Sequence, residues 1–324
     1  MRFIVYGTGA VGGPIAAKLV QNGHDVVAVA RGEHATAMAR DGLVLETPTG
    51  AVHVRLPVVT DPGDIVFGVG DVVVISVKSQ DLPPVLERLA RTMPWGTPVV
   101  CAQNAVCNEP SALRLFPNVY GMNVMLIGTH LKPGVVQVYT SPLNGILDIG
   151  RYPNGVDDTS RAICAALKHS GFESAARPDI MRWKYGKLLM NLNNAIEVAV
   201  GPGFGYSEAY RRVRAEGEAC LSAAGIEYVG RDEDVAHRGD KLRFHLIEGQ
   251  DRGGGSTWQS FLRNRGSAET DYLNGEIVLL GRLRGIPTPA NAFLQRLMHR
   301  MLVDGPAPGS MSHDELVAAM DADQ

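Results

Sequence analysis

The sequence has few cysteines, no metal-ligand spacing among its histidines and no long apolar run. Its cysteines form no C-x-x-C pair, so we expect reduced thiols rather than disulfides at Cys101, Cys107, Cys164 and Cys220. The nine histidines include no H-E-x-x-H pattern, and we predict no metal. No apolar stretch approaches the ~18 residues of a membrane span, and no signal-peptide pattern follows Met1. We therefore expect a cytoplasmic protein that does not contact a membrane.

The sequence also has no excess of one charge. With 31 basic and 34 acidic residues its net charge is -3, and it has neither a basic stripe nor a run of like charge. Nucleic acid is therefore not an expected partner. The composition, 45% hydrophobic and 20% charged over 324 residues, is that of a globular protein with two cores of about 150 residues each.

The N-terminus carries the most informative pattern, an apolar strand followed by GTGAVG and an amphipathic helix. In such a unit the first glycine makes the tight turn, the second lets the backbone approach a pyrophosphate, and the third lets the helix pack on the strand. The helix N-terminus then offers N–H groups and its positive dipole end to phosphates. We predict a dinucleotide site formed by Gly7, Thr8, Gly9, Ala10, Val11 and Gly12.

The second strand, Val26–Ala30, ends at Arg31, where an NAD site usually has an Asp or Glu for the ribose 2′-hydroxyl. A guanidinium there can instead pair with a 2′-phosphate and stack on adenine. We therefore predict NADPH as the cofactor. The alternative is a surface arginine that merely follows a strand, with Glu33 close enough to confuse the assignment.

The order of elements predicts an α/β fold: an N-terminal Rossmann-type, doubly wound parallel sheet with an all-helical C-terminal domain. We expect an NADP-binding domain over residues 1–177 and a helical substrate domain over 178–324. In the first domain we predict strands at 72–77 and 97–102 and a helix at 82–93. In the second, the patterns predict one long helix over 179–200 and others at 207–224, 233–247, 258–264, 268–283 and 289–303.

Two polar clusters in the second half are candidates for catalysis. Lys184, Lys187, Asn191 and Asn194 recur at three and four residues among apolar neighbours, which favours a functional stripe over an exposed helix face. Gly186 beside them would permit close approach of substrate or of another backbone. The segment that follows residue 268 offers Glu269 as a substrate ligand, although acids are also favoured in first helical turns by the helix dipole.

The chain resembles the ketopantoate reductase (2-dehydropantoate 2-reductase) family. The resemblance runs through GTGAVG, ARGEHATAMARDGLVLETP, KLLMN, AETDYLNG and GIPTPAN, in that order. It implies a Rossmann domain followed by a helical domain, and reduction of a 2-keto acid with NADPH in the cleft between them. The partner it implies is a small 2-keto acid, with a homodimer as a possible assembly.

The resemblance also implies roles for individual residues. The family's general-acid lysine falls on Lys187, which heads KLLMN, whereas Lys184 has no family role. The implied substrate ligands are Asn191, Ser256 and Glu269, with Ser256 holding the carboxylate, and the polar stripe adds Asn194 as a further substrate-binding candidate. In the first domain, Lys78 in SVKSQ is implied near the cofactor phosphates or substrate, and Gln103 and Asn104 at the nicotinamide.

Two departures from the family pattern concern the substrate. The family reads QNG where this chain has Ala105, and Cys107 replaces a second small residue. Ala195 stands where the family has a second amide, one residue after Asn194. These departures favour, as the first alternative, a related reductase or dehydrogenase acting on another keto or hydroxy acid. The second alternative is an NADPH-binding regulator without catalysis, against which the intact Lys187, Asn191 and Glu269 argue.

Overall fold

The computed structural model describes residues 1–203, 206–247, 258, 261, 269–304 and 307–323. The chain divides into two compact units. Unit 1 comprises Met1–Lys184 with Arg231–Arg252, and unit 2 comprises Tyr185–Gly230 with Gly253–Gln324. The chain thus returns once to unit 1 after entering unit 2. The domain boundary at residue 177 remains a prediction.

Unit 1 is built on a seven-stranded sheet in the order β12-β8-β7-β6-β1-β2-β5. All neighbours are parallel except β12, which runs antiparallel to β8. The strands are β1 Arg2–Tyr6, β2 Asp25–Val29, β5 Val58–Val59, β6 Asp71–Ile75, β7 Val99–Cys101, β8 Val119–Met125 and β12 Ile146–Arg151. The strand order reverses between β1 and β6, which is where open α/β sheets form their ligand crevice. The Rossmann-type sheet is confirmed.

Helices cover both faces of this sheet. They are α1 Gly12–Gln21, α2 Gly32–Asp41, α3 Leu82–Thr92, α4 Asn108–Leu113 and α5 Asp158–His169. Alternate strand residues point to opposite faces, so Phe3 joins α1 and α5 in one core while Ile4 joins α3 and α4 in the other. Because both faces are buried, the inner residues of β1, β6 and β7 are apolar.

Two smaller sheets complete unit 1. One has the order β4-β3-β10-β9, and the other pairs β11 with β13. Their strands are β3 Leu43–Thr47, β4 Gly50–Val54, β9 Gly128–Thr129, β10 Val135–Val138, β11 Thr140–Pro142 and β13 Leu242–Phe244. The helix predicted over 233–247 is therefore wrong in its second half. Helix α9, Arg231–Arg238, ends before Gly239, which has a φ of 45°, and the next residues pair with β11.

Unit 2 is helical in its described residues. Helix α6, Ile180–Asn191, contains the division between the units and is followed by α7 Asn193–Val200, α8 Glu208–Ala223, α10 Asn274–Arg284, α11 Pro289–Asp304 and α12 His313–Ala322. The single helix predicted over 179–200 is two helices that meet at Leu192. The predicted helix at 258–264 falls almost wholly outside the described residues.

Candidate active site

The glycine-rich loop between β1 and α1 has the geometry that its sequence predicts. Gly7 has a φ of 91°, and its N–H donates to Val29 O at 2.9 Å. A Cβ at Gly12 would lie closer than 3.0 Å to Gly7 O and to the Ser76 hydroxyl, so only glycine fits there. At Gly9 the nearest atom to a Cβ would be His130 Nδ1, 3.7 Å away. The loop is therefore closed at Gly7 and Gly12 and open at Gly9, as a cradle for a diphosphate requires.

A buried histidine holds this loop, which the sequence motif did not predict. Gly134 N donates to His34 Nδ1 at 2.9 Å, so the proton is on Nε2, which donates to Thr8 O at 2.8 Å. Burial lowers the pKa of His34, against the opposing effect of the Thr8 bond. His34 thus stays neutral and fixes a carbonyl between the first two glycines. The only sequence signal was a histidine in the first turn of the helix after Arg31.

Arg31 lies at the end of β2 and immediately precedes α2. Its side chain is 78% exposed, and its guanidinium approaches Asp81 at 3.3 Å. An exposed pair of this kind is weak and leaves the guanidinium available to another anion. Lys78 follows β6 and is half-buried at the start of the 3-10 helix Ser79–Asp81. The carboxyl ends of β1, β2 and β6 therefore bring the glycine loop, Arg31 and Lys78 to one edge of the sheet.

Gln103 and Asn104 follow β7 at the same edge. Gln103 is 4% exposed, and neither its amide nitrogen nor its amide oxygen has a hydrogen-bond partner among the described residues. Unpaired buried polar atoms are expensive, so each calls for an explanation such as a bound water, an ion or a polar ligand. The open face at Gly9 and the unpaired amide of Gln103 both fit a dinucleotide whose nicotinamide end carries an amide of its own.

Lys184 does not lie on an exposed polar stripe. It is 1% exposed and belongs to unit 1, where its ammonium donates to Glu109, to Gln103 O at 2.9 Å and to Cys101 O at 3.4 Å. Helical spacing gave no sign of Glu109, which is fully buried in the first turn of α4. Lys184 thus belongs to unit 1, whereas Lys187, Asn191 and Asn194 belong to unit 2.

In unit 2 the remaining candidates lie on or after α6. Lys187 is half-buried, and Asn191 is buried with no hydrogen-bond partner for its Nδ2 among the described residues. Asn194 is half-buried on α7, beyond the helix break. Glu269 is 5% exposed at the start of the 3-10 helix Glu269–Tyr272, and Ser256 lies outside the described residues.

Gly186 and Ala195 are also placed by the structure. A Cβ at Gly186 would lie 2.7 Å from Val229 O, so this glycine admits another backbone. Ala195 is buried in α7.

Within the described ranges, no group of three or more His, Cys, Asp or Glu side chains is arranged to hold a metal ion. No helix in that part of the chain combines the length and apolar character needed to cross a membrane.

Known proteins resemble the chain along nearly its whole length. The family model for ketopantoate reductase PanE/ApbA matches residues 3–154, and the model for its C-terminal part matches residues 179–302. A 2-dehydropantoate 2-reductase of Pyrococcus horikoshii is 25% identical over 307 residues, which are 92% of this chain and 96% of that protein. A PanE/ApbA family ketopantoate reductase of Ralstonia eutropha superposes with a TM-score of 0.75 at 25% identity, with all of both chains covered. D-mandelate dehydrogenase, solved with NADH and anilino(oxo)acetate, shares the fold with a TM-score of 0.75 at 21% identity, covering 100% of this chain and 99% of that one.

The fold, the loop geometry and the family matches together indicate an oxidoreductase that uses a nicotinamide cofactor. The two family matches leave few residues uncovered. The chain belongs to the ketopantoate reductase PanE/ApbA family, whose members are oxidoreductases acting on CH–OH groups.

Proposed function

We propose that this protein reduces a 2-keto acid to a 2-hydroxy acid with NADPH, and that the substrate is 2-dehydropantoate. The observation that carries the proposal is the glycine loop, closed at Gly7 and Gly12 and open at Gly9. The names of the relatives support the substrate. A second copy of the chain as partner, and no nucleic acid, remain predictions.

NADPH is proposed over NADH because Arg31 replaces the usual acid after β2. Its exposed guanidinium can exchange Asp81 for a 2′-phosphate, with which it would form a charge-assisted, bidentate contact. The N–H groups at the start of α1 would hold the diphosphate, and the unpaired amide of Gln103 would meet the nicotinamide end. When bound, NADPH supplies the hydride.

Lys187 is proposed as the general acid. Protonated, it would hydrogen-bond the keto oxygen and transfer its proton to that oxygen as the alcohol forms. Lys184 is not a candidate, because Glu109 and two carbonyls use the three donors of its ammonium. Asn191 and Glu269 would orient the substrate with Asn194, and Ser256 would hold the carboxylate.

The test is NADPH oxidation with 2-dehydropantoate, measured for wild type, Lys187→Ala and Lys168→Ala. Lys168 is the control because it is an exposed lysine whose ion-pair partner among the described residues is Glu173, at 3.8 Å. Lys187→Ala should lower kcat by roughly 10²- to 10⁴-fold, the usual value of a positioned acid, with NADPH affinity unchanged. Equal kcat values for the two variants would refute the assignment.

A different 2-keto acid is the second candidate, favoured by Ala105. Its methyl group is fully buried in the loop after β7, where the family pattern has glycine. A methyl in a substrate pocket shifts selectivity by about 1 to 3 kcal/mol. A panel of 2-keto acids assayed with wild type and Ala105→Gly decides between the two: a gain for 2-dehydropantoate in the variant supports another natural substrate, and no change supports 2-dehydropantoate.

A further inference from the structure

A buried ion pair joins Lys184 and Glu109 in unit 1. Both side chains are almost completely excluded from solvent. Moving two charges out of water is expensive, and apolar residues of similar volume often give equal or greater stability. Stability alone is therefore a weak reason for this pair.

The ion pair holds the main chain that leads into the nicotinamide end of the proposed site. Lys184 donates to the carbonyls of Cys101 and Gln103, at the end of β7 and just beyond it. Both hydrogen bonds are buried. A second buried side chain secures the next part of the loop, since Asn108 Nδ2 donates to Ala105 O at 3.3 Å.

The protonation of Glu109 depends on Lys184. Burial raises the pKa of Glu109, and the Lys184 ammonium opposes this shift. Loss of Lys184 would therefore favour protonation of Glu109 and would remove the donor from both carbonyls. The two residues act as one unit on the loop.

We infer that Lys184 and Glu109 are a positioning pair, which fixes the loop after β7 so that the Gln103 amide meets the nicotinamide end of the cofactor. The inference rests on the proposed function for the identity of that cofactor. Neither residue touches substrate in this scheme. Their effect on the cofactor is indirect, because they hold the Gln103 main chain and so position the unpaired side-chain amide of Gln103.

The test uses the double variant Lys184→Met/Glu109→Met, in which two unbranched apolar side chains fill the volume of the pair. Asp71→Asn is the matched control. It disrupts another ion pair with a buried partner, between Arg2 and Asp71 at 2.6 Å, at the first residue of β6 and so at the opposite end of the strands from the loop.

Each protein is titrated with NADPH and with adenosine 2′,5′-bisphosphate, which has the adenine end of the cofactor but no nicotinamide. Thermal melting and steady-state kinetics are measured alongside. The double variant should melt near the wild-type temperature and bind the bisphosphate within about twofold of wild type. Its NADPH affinity should fall about tenfold, and its kcat about 10- to 100-fold, as for a misplaced reacting group. Asp71→Asn should melt at a lower temperature but keep both affinities and kcat.

A folded double variant with wild-type NADPH affinity and kcat would overturn the inference, as would equal losses for NADPH and the bisphosphate. If the double variant does not fold, the single variants decide. Glu109→Gln keeps an acceptor for Lys184 and should bind NADPH like wild type, whereas Lys184→Met should not; equal NADPH affinities would overturn the inference. If the wild type binds NADPH but reduces no 2-keto acid, the proposed function is refuted. The comparison of NADPH and bisphosphate affinities then still tests the role of the Lys184–Glu109 pair.

Discussion

An alanine at Gly12 should lower the stability of the fold, whereas an alanine at Gly9 should weaken cofactor binding and leave the stability almost unchanged. At Gly12 a methyl group would overlap Gly7 O and the Ser76 hydroxyl, and would lie 3.0 Å from Val5 Cγ1. The serine hydroxyl can rotate away, but the Gly7 carbonyl is part of the turn and cannot. At Gly9 the methyl group would meet nothing nearer than His130 Nδ1, at 3.7 Å.

These contacts set the magnitudes. Overpacking at Gly12 should lower the free energy of unfolding by about 1 to 3 kcal/mol, a shift of roughly 2 to 4 °C in melting temperature for each kcal/mol. Gly9→Ala should change the free energy of unfolding by less than about 0.5 kcal/mol. Its methyl group would instead occupy the approach of the diphosphate and disrupt one charge-assisted hydrogen bond from the loop. That loss of about 1.5 to 3 kcal/mol corresponds to a fall of roughly 10- to 100-fold in NADPH affinity.

The assay is thermal melting of both variants with and without NADPH, together with a fluorescence titration of the cofactor. Without cofactor Gly9→Ala should melt like wild type, and NADPH should stabilise it less than it stabilises wild type at the same concentration. Wild-type NADPH affinity in Gly9→Ala would refute the placement of the diphosphate at Gly9. An unchanged melting temperature in Gly12→Ala would refute the packing argument.

Three further predictions concern single side chains. Arg31→Ala should weaken NADPH binding by about 1.5 to 3 kcal/mol and NADH binding much less, measured by titration with both cofactors; equal losses would contradict the 2′-phosphate role. Glu216→Ala should lower the free energy of unfolding by about 1 to 2 kcal/mol in a denaturant titration, because its carboxylate caps α11 through the N–H of Asn291 at 2.9 Å; no loss would show that the cap is dispensable. Asp157→Asn should reduce the stability lost on acidification. Burial raises the pKa of Asp157, but its hydrogen bonds, the largest of them from Ser160 N, outweigh burial and lower the pKa below 3.8. The stability that ionised Asp157 contributes is therefore present above pH 3.8 and is lost as the pH falls through the lowered pKa. Melting temperatures measured from pH 6 to 2.5 that fall as steeply in the variant as in wild type would contradict this.

The N-terminal unit was predictable because its signals are local. Gly7, Gly9 and Gly12 act within one strand, one turn and one helix, so their spacing alone specifies the geometry. The apolar runs of β6 and β7 likewise indicate buried strands wherever they occur in a chain. The helical character of the second half followed from periodicity in the same way.

What the sequence could not predict depends on contacts between distant residues. Lys184 has the spacing of a polar helix stripe, and only the fold brings it to Glu109, 75 residues earlier. Residues 242–244 have no strand partner nearby and become a strand because β11 lies beside them. The helix break at Leu192 contains no proline or glycine, so no helix-breaking residue marks it in the sequence. Periodicity predicts that a segment is helical, but it does not show which residues the helix packs against.

The return of residues 231–244 to unit 1 affects the order in which the protein can fold during synthesis. When the first 184 residues have been made, β11 still has no partner, and Asp148 has its contact with Arg177 but not with His237, which lies 2.8 Å away in the complete unit. Trp183 likewise lacks, at that stage, its edge-on contact with the ring of His237. The nucleotide-binding unit therefore becomes complete only after α8 has been synthesised. Exchange of this unit between relatives would require three junctions, near residues 184, 230 and 252, and a single crossover would yield a hybrid with a mismatched strand.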